Sequence, residues 1–122
     1  MKKVKLFEER GETSIFIDAE INNRGDILIS GQDLGKAPME YFGDLDYEYW
    51  LTVKRQDKKV VFEALIEHCN QNGITIPSLS QDIDEALLYT INLMFGGRST
   101  AFSDFRAFLD ERLIPAEFQS YT

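Results

Sequence analysis

Apolar and polar residues alternate along the first half of this chain with a period of two and along the second half with a helical period. The clearest alternation runs from Tyr47 to Val53, where Tyr47, Tyr49, Leu51 and Val53 share one face and Glu48, Trp50 and Thr52 the other. This pattern predicts a strand whose first face is core. Two strands are expected upstream, at Lys3 to Glu9 with Val4 and Leu6 on one side, and at Thr13 to Ile21 with Ile15, Ile17, Ala19 and Ile21 inward. Asn22 to Asp26 supplies residues that tolerate a tight hairpin loop, so Ile27 to Ser30 reads as the return strand. Gly31 to Gly35 reads as a turn or bulge, and Pro38 to Phe42 as one or two helical turns that start at Pro38 and pack through Met39, Tyr41 and Phe42.

Beyond Val53 the apolar spacing becomes helical. Asp57 is placed to cap a helix ending near Gln71, with Val61, Ala64, Leu65 and His68 in one stripe and Asn72-Gly73 as its stop. Ile74 to Pro77 reads as an extended link. A capping box over Ser78 to Gln81, with Asp82, Asp84 and Glu85 in the first turn, opens a second helix to about Phe95. That helix carries Ile83, Leu87, Leu88, Ile91 and Met94 inward. A third helix, capped by Ser99 or Thr100, is lined by Phe102, Phe105, Phe108, Leu109 and Leu113 and stops before Pro115. The tail to Thr122 is aromatic and is expected to be ordered only by docking. The expected architecture is one α+β domain over residues 1–122: an antiparallel sheet of three to four strands in the N-terminal half, followed by three helices packed on one sheet face. The other face carries Phe16 and Trp50.

Charge changes this picture most. The 122 residues hold 21 acidic and 13 basic side chains, a formal net charge of −8. A phosphate backbone requires clustered Lys and Arg, so nucleic-acid binding is disfavoured. From Glu12 to Glu48 there are nine carboxylates against Arg24 and Lys36 alone, a distribution that would steer a basic protein partner. The apolar runs are far shorter than the roughly 20 residues needed to span a bilayer. The N-terminal lysines meet Glu8 and Glu9 before any apolar region, so the chain reads as a mature cytoplasmic protein. The lone Cys69 fits a reducing compartment.

Candidate chemistry thins out on inspection. His68 and Cys69 are sequence neighbours and point in different directions on a helix, which disfavours a nucleophilic pair. One His and one Cys are too few for zinc. Asp44, Asp46 and Glu48 alternate like the start of a calcium loop, but that register puts Tyr49 at the required glycine and Arg55 at the bidentate glutamate. No catalytic residue, metal or cofactor is assigned. The leading expectation is a non-enzymatic domain that binds a basic protein through Asp44, Asp46, Glu48, Trp50 and Phe16, an aromatic anchor ringed by charge. Two other classes stay open: a homo-oligomer that buries the Phe16 and Trp50 face, and a small enzyme that uses the same carboxylates with a metal.

The segments Gly31-Gln32-Asp33-Leu34-Gly35, Tyr41-Phe42-Gly43-Asp44 and Asp46 to Val53 together resemble a set of small bacterial proteins with no known catalytic role. In size, acidity and single-domain build the chain also looks like the immunity proteins of bacterial toxin systems. That resemblance implies a carboxylate-rich face that blocks a basic toxin.

Overall fold

A computed structural model describes residues 2–75 and 82–121. Among these residues the chain forms one antiparallel sheet of five strands, in the order of the sequence, and four α-helices. Strands β1 (Lys2–Glu9), β2 (Thr13–Ile21) and β3 (Ile27–Gly35) lead into the short helix α1 (Lys36–Phe42) and then strand β4 (Asp46–Val53). Helices α2 (Lys58–Gln71), α3 (Ile83–Phe95) and α4 (Ala101–Glu111) follow, and β5 (Glu117–Tyr121) returns to pair antiparallel with β4. The expected α+β class and the long helices hold. The strand and helix numbers do not, because the tail is a fifth strand and α1 is a helix in its own right.

One face of the sheet makes the core. Ile17, Ala19, Ile27, Ile29, Leu51 and Val53 are buried there against Val61 and Leu65 of α2, Leu87 and Ile91 of α3, and Phe105 and Leu109 of α4. Phe95 meets both Phe105 and Phe108 edge-on, with ring centroids 5.3 and 5.6 Å apart. This geometry favours the aromatic quadrupoles. Deleting a fully buried ring from such a layer costs about 3–5 kcal/mol.

Several local expectations are corrected. In β1 the pairing register shifts between Lys5 and Phe7, so Leu6 is buried and Phe7, across from Ile17, also packs against the core. A bulge of this kind puts consecutive residues on a face that strict alternation would separate. Gly31 to Gly35 is strand, fully paired to β2, and not a turn. Pro38 is the third residue of α1 and is buried, whereas Met39, Tyr41 and Phe42 are exposed, Tyr41 at 80%. Asp57 precedes α2 without a capping bond; the nearby backbone is held instead by buried Asp26, which accepts from the Arg55 amide at 2.8 Å. The Ser78–Gln81 box lies outside the described residues. Asp82 itself caps α3, accepting from the Asp84 and Glu85 amides, and Ile83 is exposed. Leu113, expected to line α4, is 90% exposed beyond its end, at a φ of 56°.

Candidate functional site

The register across the sheet decides which predicted side chains meet. Residues paired directly opposite share a face. Glu8, Phe16, Gln32, Glu48 and Tyr121 form one row across all five strands, and Lys5, Asp18, Ser30, Trp50 and Gln119 the next. Both rows lie on the face without helices. Phe16 and Trp50 therefore sit two strands apart, about 10 Å by strand spacing, and both are partly exposed.

Between them is a shallow depression of about 150 Å3, floored by Ser30 and Gly31 and rimmed by Asp18, Gln32 and Glu48. On its other side Trp50 borders a second, more open groove with Glu48, Gln119 and Tyr121. Trp50 is thus a ridge between two hollows. Gln32 organises the acid beside it, donating from Nε2 to Asp46 Oδ1 at 3.2 Å and to Glu48 Oε1 at 3.3 Å. Among the described residues neither carboxylate has a cationic partner. The β1 side differs: Lys3 lies 3.6 Å from Asp18, and the hydrogen bond from Lys5 holds the Glu8 carboxyl below the usual range. Asp44 stands apart from this group. It sits in the turn before β4, where its carboxylate accepts from the Asp46 amide at 3.2 Å. The structure therefore brings together Phe16, Trp50, Asp46 and Glu48, and leaves Asp44 at the corner.

Sequence reasoning missed a second polar site, on the helix side of the sheet. Because β3 runs to Gly35, its core-facing row continues from Ile27 and Ile29 through Gly31 to Asp33. The Tyr49 ring lies over Gly31, where a Cβ would collide with it, and its hydroxyl reaches past to donate to Asp33 Oδ1 at 3.1 Å. Burial pushes the Asp33 carboxyl up despite that hydrogen bond, and burial with the nearby Asp33 charge pushes the Tyr49 hydroxyl well up too. Asp33 opens into a surface cleft of about 280 Å3 lined by Tyr47, Tyr49, Phe102 and Phe118, with Ser99, Ser103 and Arg106. Arg106 stacks over Phe118, its guanidinium carbon 4.3 Å from the ring centroid. The available signal was the period-two row through Asp33. Reading Gly31 as a stop concealed it.

Cys69 is buried and burial pushes its thiol up, away from reactivity. His68 packs edge-on to Phe108 at 5.7 Å. Among the described residues no group of three or more His, Cys, Asp or Glu side chains is placed to hold a metal ion. None of their helices is long and apolar enough to cross a membrane. No protein-family model, no curated protein and no solved structure matches this chain.

Proposed function

We propose that this protein is a non-enzymatic binding domain that captures a basic protein through the open face of its sheet, in the manner of an inhibitor. The observation that carries the reading is the Trp50 ridge, flanked by two hollows and by two carboxylates, Asp46 and Glu48, that share a neutral Gln32 amide in place of a counter-ion. Such carboxylates are oriented before the partner arrives. A Lys or Arg of the partner enters the hollow between Phe16 and Trp50, stacks on the indole and pairs with Glu48. The aromatic side chain supplies the anchor and the acid supplies steering and register. The net charge of −8 extends the attraction beyond the contact.

The test is capture from the native host on the immobilised protein. At low salt the reading expects a basic protein to be retained, and at high salt to be released, because the Debye length falls from about 10 Å at 0.1 M to about 3 Å at 1 M. Trp50→Ala combined with Asp46→Lys should abolish retention. Equal retention by that variant would overturn the proposal.

A further inference from the structure

The cavity under Asp33 lies on the opposite side of the sheet from the proposed protein-binding face, and its chemistry is of another kind. It holds one carboxylate and one guanidinium, Asp33 and Arg106. Neither pairs with the other, nor, among the described residues, with any other charged side chain. Each is held by an uncharged neighbour instead. Tyr49 donates to Asp33, and the ring of Phe118 carries Arg106. Both side chains are thereby fixed without being neutralised. Between them the walls are aromatic and continuous: Tyr47 and Tyr49 are 5.2 Å apart by ring centroid, Tyr49 and Phe102 4.7 Å, Phe102 and Phe118 6.0 Å.

This arrangement selects against ligands of one charge. A ligand that spans the pocket meets Asp33 at one end and Arg106 at the other, so one with like charges at both ends leaves one of them unsatisfied. A molecule that carries both charges at opposite ends satisfies the two groups together, and an apolar body between them covers the rings. We infer that this cavity binds a small zwitterion, an ω-amino acid whose ammonium and carboxylate stand at opposite ends of an apolar chain, with its ammonium on Asp33 and its carboxylate on Arg106. The pocket, about 280 Å3, is large enough for such a molecule. The hydroxyls of Ser99 and Ser103 in its lining offer further polar contact. Burial of Asp33 with no cation beside it is consistent with this, since a bound ammonium would relieve the cost.

The experiment is a calorimetric titration of the whole protein with ω-amino acids of increasing chain length, tested singly, followed for any binder by its N-acetyl derivative and its amide. The expected result is saturable binding of at least one ω-amino acid. Affinity should drop by about tenfold or more when either terminal charge is blocked, as loss of a charge-assisted hydrogen bond implies. Asp33→Asn, which retains an acceptor for Tyr49, and Arg106→Gln should each weaken binding by a similar factor. Absence of saturable binding by every ω-amino acid tested would overturn the inference, as would blocked derivatives that bind as tightly as the parent. The derivatives test the unmodified protein, so the result stands even if a variant folds poorly.

Discussion

The two faces of the sheet are built from the same five strands and spend their residues differently. On the covered face the rows run Ala19, Ile29 and Leu51, or Ile21, Ile27 and Val53, all buried beneath three helices. On the open face the rows run Phe16, Gln32 and Glu48, or Asp18, Ser30 and Trp50, mixing aromatic, amide and acid. The covered face holds the fold together, and its chemistry is almost entirely apolar until Asp33. The side chains of the open face are only partly buried, so its aromatic and acidic groups stay accessible. A side chain's worth to the fold and its worth to binding should therefore separate by face.

The largest expected effect lies in the covered layer. Phe105 is fully buried against Phe95, and Phe105→Ala should lower unfolding free energy by about 3–5 kcal/mol in urea denaturation. A loss under about 1 kcal/mol would mean that the helices do not close the core as described.

Next comes the crossing of Tyr49 over Gly31. Gly31→Ala pushes a methyl group into the ring and should cost about 1–3 kcal/mol. In a Tyr49→Ala background the same change should cost far less, a coupling of about 1 kcal/mol or more in a double-mutant cycle. Additive costs would contradict the packing.

This crossing also marks how far the sequence could be read. Alternation placed Tyr49, Leu51 and Val53 on the core and Trp50 and Phe16 opposite, and the structure agrees on each. The helical stripes of Val61 and Leu65, of Leu87 and Ile91, and of Phe102, Phe105, Phe108 and Leu109 were equally legible. Gly31 was not, because a glycine that makes room for a ring looks the same in sequence as one that turns the chain. With the strand cut short at Ser30, Asp33 fell in a loop and its cavity vanished from view. The tail was lost for a related reason. The five residues of β5 are all exposed, and they are held by backbone pairing to β4 with Phe118 against Phe102, so no buried stripe announced the strand. Of the proposed contact residues, Glu48, Trp50 and Phe16 were read as sharing one face, as the pairing places them, and Asp46 joins them as the first residue of β4. Asp44 was not separable from them by spacing alone, since its role in the turn depends on the Asp46 amide.

On the open face the expected stability effects are small. Trp50→Ala should change unfolding free energy by under about 1 kcal/mol, the scale of a cross-strand pair, although the residue is large. A loss comparable to that of Phe105→Ala would erase the distinction between the faces.

The smallest effect is a pH dependence. Burial raises the Asp33 carboxyl above its unfolded value, so the folded state holds that proton more tightly. Stability from this group is present at acid pH and is lost as pH rises from the ordinary aspartate range through the raised value. Asp33→Asn removes that loss. Its thermal midpoint, relative to the parent protein, should therefore improve between acid and neutral pH, by a margin limited by the Tyr49 hydrogen bond that favours the charged form. A relative midpoint that falls over this range would reverse the assigned sign.

The most direct measurement takes the Trp50→Ala, Asp46→Lys double variant and determines, on one preparation, its thermal midpoint and its affinity for the basic protein captured by the parent. The account predicts a midpoint within a few degrees of the parent and an affinity reduced by about a hundredfold or more, as loss of an aromatic anchor together with a reversed charge implies. Undiminished affinity, or failure of the parent to retain any basic protein, would contradict it.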